Sequence, residues 1–522
     1  MEGQHVSSTE VDAVTLEVAR NRFAAIAEEM GTVLRRTSYS PNIKERIDCS
    51  AAVFVPNGEM LAQAEHIPVH LGSMPASVQA VLDVCGPDLD PTTQYAVNDP
   101  FAGGTHLNDL TLVRPVVIDG DLIGFVANRA HHADVGGEAP GSMPADATDI
   151  AQEGHRVAPT RAVVDGEWLD AFVDPFLAAT RTPQERIGDL SAQLGANEVG
   201  ARRLIETARH LGPRRFQELA AAVLDYGERR MRAALADLPS GTYRFTDHME
   251  GRDELHPITV TVQLDGGELH ADFAGTSPQV QANFNAVQAV TRSCLYYAVR
   301  VATDPTIPAN GGCYRPLTLA TPSGSLVDAV SPAAVAAGNV ETSSRIADVL
   351  LGALAPANPQ RIPAASQGTM NNILIGSEHA AYYETVAGGQ GARPTRDGQS
   401  GIQTGMTNTR NTPIESLEAH YAFKVRRTTL WDSGGDGRYR GGDGIERELE
   451  FLEPAVVSLI GERRRTHPWG LQGGGEGACG EDWYRPRGGT RERLPGKVTF
   501  EVNPGDRLLV RTPGGGGWGS AR

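Results

Sequence analysis

Cysteine, basic charge and long apolar runs are all scarce in this chain of 522 residues. The five cysteines (Cys49, Cys85, Cys294, Cys313 and Cys479) are odd in number and widely spaced, and no CxxC pair occurs. This excludes a disulfide framework and a thiolate zinc knot, and it fits a reducing, cytoplasmic setting. Acidic residues outnumber basic ones by 64 to 47, for a formal net charge of −17. Binding to nucleic acid through phosphate contacts needs the opposite sign, so no nucleic-acid partner is expected. No run of about 18 apolar residues is present, so no membrane span is expected. The opening MEGQHVSSTEVD is polar and acidic and lacks the apolar core of a signal peptide. Phosphate-loop and serine-nucleophile signatures are missing too: there is no GxxxxGK[ST], no GxSxG and no SxxK. The GxGxxG match from Gly475 to Gly480 has no flanking βαβ pattern and carries no weight.

Glycine, in contrast, is abundant, with 59 residues, so loops and tight turns take up much of the chain. The length suggests about three structural units at roughly 150 residues each. Residues 12–36 read as one amphipathic helix, with Leu16, Phe23, Ile26, Met30 and Val33 on one face. A hairpin follows around Pro56-Asn57-Gly58, where Asn-Gly supplies the positive φ angles of a tight two-residue turn. A second hairpin pairs Leu110–Ile118 with Leu122–Ala130 around Asp119-Gly120. Residues 183–237 switch to helical period and divide into three helices, with Leu211-Gly212-Pro213 between the last two. The β pattern resumes after Pro239-Ser240-Gly241, with a turn at Asp265-Gly266-Gly267. Residues 288–302 and 344–356 look helical. From about Arg426 the chain is β-rich and full of glycine. The expected fold class is α+β, with large mixed or antiparallel sheets, the helical block at 183–237 and a Gly-rich β region at the C-terminal end. The expected units are 1–240, 241–425 and 426–522.

Chemistry concentrates between Asn98 and His155. The segment NDPFAGGTHLNDLTLVRPV and then ANRAHHADVGG place His106, Asp109, His131, His132 and Asp134 at the open end of the second hairpin. With a two-residue turn at Asp119-Gly120, His131 lies opposite Asn108; with a three-residue loop it lies opposite Asp109. Directly opposed side chains start about 5 Å apart, so the HLND and HHAD segments meet in either register. Taken singly, each histidine is an ordinary loop residue. Clustered imidazole and carboxylate suit Zn, Mn or Fe; the set is too rich in nitrogen for Ca and lacks the thiolates of a structural zinc.

These stretches, with DCSAAVFVPNGEMLAQAEHIPVHLGS from Asp48 to Ser73, DFAGTSPQVQANFN near residue 272 and the terminal TPGGGGWG, resemble the hydantoinase B/5-oxoprolinase family over about residues 10–519. The resemblance implies a metal held by Glu45, His106, Asp109 and His131, the pattern of the family's carboxylase branch. It leaves His132, Asp134, His66 and His70 as supporting or substrate-side groups, with His132 and Asp134 as the first candidates for proton transfer. It also implies a partner: an ATPase of the hydantoinase A type that uses ATP with Mg to phosphorylate the carbonyl oxygen of a small cyclic amide. The missing phosphate loop agrees with such a division of labour. The expected activity is therefore ATP-dependent opening of a hydantoin, 5-oxoproline or lactam ring within a hetero-oligomer. The alternatives are a component of an acetone-type carboxylase and a non-catalytic scaffold for the ATPase. Outside this cluster, Gly388-Gly389-Gln390-Gly391-Ala392 with Arg393 and Arg396 can cradle a phosphoryl group. Gly461-Glu462-Arg463-Arg464-Arg465 is a basic run in an acidic protein, and Thr407-Asn408 and Glu415 through His420 resemble a further family motif.

Overall fold

The computed structural model describes residues 11–64, 67–86, 89–377 and 380–521. Most of the opening MEGQHVSSTEVD, and His66, lie outside the described residues. Helix α1 (Ala13–Thr37) starts where Asp12 accepts the amides of Val14 and Thr15, and it buries Phe23, Ile26, Met30 and Leu34. This is the stripe expected from sequence, shifted at its end from Val33 to Leu34. A short turn, α2 (Pro41–Lys44), leads into the first sheet.

That sheet contains β1 (Cys49–Phe54), β2 (Met60–Ala64), β3 (Thr93–Val97), β4 (Asp109–Ile118), β5 (Asp121–His131), β6 (Thr160–Val164) and β7 (Glu167–Trp168). They are antiparallel, in the order β2-β1-β5-β4-β3-β6-β7. Strand period sorts the side chains to two faces. Ala51, Val53 and Val126 pack with Phe23, Met30 and Leu204 on the helical side. Ala52, Phe54, Phe125 and Ala127 join the main core on the other. The sheet is thus buried on both faces, and its strand ends are the places where polar groups can gather.

Both predicted hairpins form, with corrections in detail. In the first, Gly58 has φ +83° while Asn57 does not enter the positive region, so Pro56-Asn57-Gly58 is a three-residue turn. In the second, Asp119 and Gly120 have φ of 52° and 92°, which selects the two-residue turn from the two loop lengths the sequence left open. Pairing nevertheless shifts by one between Val116 and Val117, and this bulge brings His131 opposite Asp109 instead of Asn108. Gly124 sits at the shift. A Cβ there would lie 2.2 Å from the Phe54 carbonyl oxygen, so only glycine lets β1 approach.

Four more helices precede the next sheet or cover it: α3 (Ser73–Cys85), α4 (Asp170–Ala179), α5 (Pro183–Leu211) and α6 (Pro213–Ala236). The three helices expected in residues 183–237 are two. Helix α5 runs unbroken through Gly195 and Gly200, because Gly200 lets Met30 of α1 pack against the helix backbone. Gly212, with φ +83°, makes the break before α6. Strands β8 (Gly241–Glu250), β9 (Leu255–Asp265), β10 (Glu268–Asp272) and β11 (Leu317–Ala320) form a sheet in which β10 and β11 run parallel. Helices α7 (Gln288–Ala302) and α8 (Ser343–Leu354) match the two expected later helices, and a π turn at Gly338–Thr342 leads into α8.

The remaining strands are β12 (Asn372–Gly376), β13 (Ala381–Thr385), β14 (Phe423–Trp431), β15 (Gly444–Phe451), β16 (Ala455–Ile460), β17 (Glu481–Arg485), β18 (Glu492–Leu494), β19 (Lys497–Val502) and β20 (Arg507–Arg511). They form two antiparallel sheets, β13-β12-β16-β19 and β14-β15-β20-β17-β18, around a shared core that includes Ile373, Tyr382, Phe423, Leu449, Leu459 and Leu508. The architecture is α+β, as expected. After β20, the ribbon Pro513–Gly517 threads between earlier loops. It hydrogen-bonds Gly389, Ala392, Gly435 and Gly442 through backbone alone. No helix among the described residues is long and apolar enough to cross a membrane.

Candidate metal centre

Strand β4 begins at Asp109 and β5 ends at His131, directly opposed. Just before β4 the chain turns, and the Asp109 amide donates to the His106 carbonyl at 3.1 Å. Such a turn sets residues i and i+3 on one side. His106, Asp109 and His131 are buried, and each offers a ligand atom within 4.8 Å of the others. His106 Nδ1 lies 3.2 Å from Asp109 Oδ2, and His131 Nδ1 lies 3.4 Å from Asp109 Oδ1. The two imidazoles tilt against each other with centroids 5.0 Å apart.

Two atoms of this group are left wanting. His106 Nε2 and Asp109 Oδ1 are buried and make no hydrogen bond among the described residues. Buried polar atoms without partners are uncommon because they forfeit hydration. Their convergence in a mixed imidazole and carboxylate set is the arrangement that a divalent cation satisfies. The donors are also charge-matched to a cation. Burial alone would raise the Asp109 carboxyl, but the charge of His106 and the imidazoles of His131 and His70 outweigh it and hold it well below the ordinary carboxylate range. Burial lowers the His131 imidazole against the pull of Asp48 and Asp109, which favours the neutral form that a ligand needs.

Further groups orient the triad. Asp109 Oδ2 accepts the Thr105 hydroxyl at 2.7 Å and lies 3.3 Å from His70 Nε2. His70 Nδ1 in turn meets Ser50 Oγ at 2.9 Å. Tyr383 of β13 stacks on His131 at 4.8 Å, and the Arg46 guanidinium lies 4.6 Å from the centre of the tyrosine ring. Asp48 is a member of this surround; in the sequence it only opens the Asp48–Ser73 stretch and carries no assigned role. Its carbonyl accepts the His131 amide at 3.1 Å, and its carboxylate lies 4.0 Å from His131 Nδ1. The signal lies in the pairing of β1 with β5: Cys49 opposes Ala130, which carries Asp48 to His131.

The other expected residues turn elsewhere. Glu45 ends α2, half-buried, on a cleft of ≈ 730 Å³ with Lys44, Arg181, Glu185, His420 and Tyr421. It is not one of the three groups that share the 4.8 Å cluster; its neighbour Arg46 takes the inward position, donating to the Tyr383 carbonyl at 2.6 Å. His132 faces α5, with Nε2 2.9 Å from Gln193 Oε1 and its ring edge against Phe176. Burial and the charge of Arg186 lower it to about 4. The alternation of strand side chains explains why it and His131 part company. Asp134 organises its own loop instead, accepting the amides of Gly136, Gly141 and Arg181 and the Arg181 guanidinium. His155 packs edge-on against Phe176.

Comparison with known proteins points in one direction. The sequence pattern described as Hydantoinase B/oxoprolinase matches residues 12–521. An uncharacterised protein of Methanocaldococcus jannaschii is 41% identical over 98% of this chain and 91% of its own length. The 5-oxoprolinase 1 of Arabidopsis thaliana is 39% identical over 98% of this chain, which spans only 42% of that longer protein. One subunit of a putative D-/L-hydantoinase from a Pseudomonas strain is 31% identical over 99% of this chain and 91% of its own length. Among solved structures, the ATP-dependent caprolactamase of Pseudomonas jessenii superposes with a TM-score of 0.92 at 30% identity, covering 98% of this chain and 92% of that one.

Proposed function

Because this chain belongs to the hydantoinase B/oxoprolinase family, we propose that it is the ring-opening component of an ATP-dependent cyclic amide hydrolase acting on a hydantoin, 5-oxoproline or lactam. The observation that carries this reading is the buried convergence of His106, Asp109 and His131, with His106 Nε2 and Asp109 Oδ1 unpartnered. These three residues would hold Zn, Mn or Fe, with Asp48 as a carboxylate already beside His131 and Glu45 as a proposed fourth ligand that would have to turn inward from its neighbouring cleft. A metal in such a site would supply Lewis acidity toward a carbonyl oxygen and would lower the pKa of water.

The chain's own groups have assignable tasks. Thr105 and His70 fix the Asp109 carboxylate through Oδ2, while Oδ1 lies 3.4 Å from His131 Nδ1 and makes no hydrogen bond among the described residues. Tyr383 clamps the His131 ring face-on. His70, joined to Ser50 on one side and Asp109 on the other, is better placed than His132 or Asp134 to pass a proton. Activation of the amide by phosphorylation falls to a hydantoinase A-like ATPase using ATP with Mg. Two observations support that partner. No phosphate loop occurs in this sequence, and the relative called 5-oxoprolinase 1 is more than twice as long as the part this chain matches.

The test is a substrate panel with ATP and the partner ATPase, run with and without bicarbonate, on wild type and on His106→Ala. Wild type opens a ring without bicarbonate. The variant carries no metal and opens none, while nucleotide binding by the partner is unchanged. Full ring-opening by His106→Ala would falsify the reading, and strict dependence on bicarbonate with a ketone substrate would replace it by a carboxylase.

A further inference from the structure

We propose that the cleft walled by Arg393, Gln403 and Trp469 is the substrate pocket of this centre and contains an oxyanion subsite, taking the phosphoryl or carboxylate group of the ring substrate on Arg393 and Trp469. This rests on the ring-opening reading above. The cleft has a volume of ≈ 520 Å³ and is lined by Pro68, Gln390, Arg393, Gln403, Thr407 and Trp469, among others. That size suits a small ring with an anionic substituent.

Its unsatisfied groups define what it would bind. The Arg393 guanidinium is half-buried and makes no hydrogen bond or ion pair among the described residues. Burial and the neighbouring charge of Arg396 push it below its ordinary value. Arg393 is a partly exposed cation that no carboxylate pairs among the described residues, which leaves it open to an anion. Trp469 Nε1 is a buried donor without a partner, and Gln403 Oε1 a buried acceptor without one. An oxyanion would occupy the first, and the N–H of a ring amide the second. Asp348 also lines the cleft, but its carboxylate is held by Arg463 at 2.8 Å and Arg345 at 3.5 Å.

None of His106, Asp109 and His131 lines the cleft, and two short relays of neighbouring residues join it to the metal centre. Pro68 begins the turn that ends in His70, the residue against Asp109. Gln403 Nε2 donates to the carbonyl and hydroxyl of Thr385, two residues beyond the Tyr383 that stacks on His131. Thr385 Oγ1 also accepts from Arg46, the guanidinium over Tyr383. The loop that presents Arg393 is already in place, since Gly389 and Ala392 donate to the carbonyls of Pro513 and Gly516. A pre-formed oxyanion subsite costs little ordering on binding.

The experiment is titration of the purified, metal-loaded chain with inorganic phosphate, followed by calorimetry and phosphorus NMR. Wild type shows saturable binding. Arg393→Gln weakens it about tenfold or more, Arg393→Lys less, and Trp469→Phe several-fold, all with wild-type metal content and thermal unfolding. No saturable binding, or an Arg393→Gln isotherm equal to that of wild type, overturns the proposal. Competition with 5-oxoproline separates the two sources. Displacement assigns the subsite to a substrate carboxylate, and no displacement assigns it to the phosphoryl group. Neither the partner nor turnover is needed, and failure of the ring-opening reading is recognised separately by the activity of His106→Ala.

Discussion

Two regions of this molecule bury ionisable side chains, and they treat them in opposite ways. Beneath α8, the carboxylates of Asp247, Asp348 and Glu462 meet the cations of Arg345, Arg463 and Lys497 in direct ion pairs. The charged groups there offset one another in direct pairs, although Arg345 Nε and Arg463 Nε also lack a hydrogen bond among the described residues. At the end of β4 and β5, by contrast, one carboxylate faces three imidazoles, and two polar atoms have no partner. A matched cluster holds elements of the fold together; an unmatched one whose free atoms converge is shaped around something else. The difference separates a structural network from a binding centre more sharply than burial does, since both are buried.

That contrast can be broken. Arg463→Ala leaves Asp247 and Asp348 short of their closest cation, and the expected loss of stability is about 3–5 kcal/mol by denaturant unfolding. Metal content per folded chain stays at the wild-type level; a parallel fall in bound metal would show that the two regions are not independent. Glu153 sharpens the contrast from a third angle, because it is a buried carboxylate that meets only backbone amides, those of Val335 and Ala336. Burial raises it to about 8 from 4.5, against the pull of those amides. The folded chain therefore holds a proton that the unfolded chain loses. Stability is complete below about 4.5 and falls as pH rises toward about 8. Glu153→Gln should remove on the order of 2–4 kcal/mol of that slope between pH 5 and 8, and an unchanged slope would assign the pH dependence to other groups. The smallest effect is at the metal centre itself. Thr105→Val deletes the hydroxyl that orients Asp109, and metal affinity is expected to drop about tenfold, while metal-free stability changes by about 1 kcal/mol or less. Equilibrium dialysis against a competing chelator measures the first and chemical unfolding the second.

The local parts of this site are legible in the sequence and the non-local parts are not. Turn chemistry at Asp119-Gly120 is encoded in two adjacent residues, and it announces a hairpin whose open end gathers His106, Asp109 and His131. The one-residue shift at Val116 depends on β1 lying against Gly124, a contact between residues about 70 positions apart, and no periodicity reports it. Asp48 is hidden for the same reason, since its place beside His131 follows from the pairing of β1 with β5. His132 and Asp134 look equivalent to their neighbours because a list of residue types does not say which face of a strand end each one takes. The α5 helix reads as two because Gly195 and Gly200 weaken helix propensity. Packing against Met30 overrides that preference. Glu45 enters only through the family resemblance, and the fold sets it on the neighbouring cleft.

The glycine ribbon after β20 has a consequence for how the protein is made. Synthesis runs from the amino end, so the segment around Arg393 leaves the ribosome more than a hundred residues before Pro513–Gly517, whose carbonyls it needs at Gly389 and Ala392. Until that late stretch emerges, those amides have only water to bond. The nascent chain can assemble its first sheet early, but it closes the wall of the cleft only after that later stretch emerges.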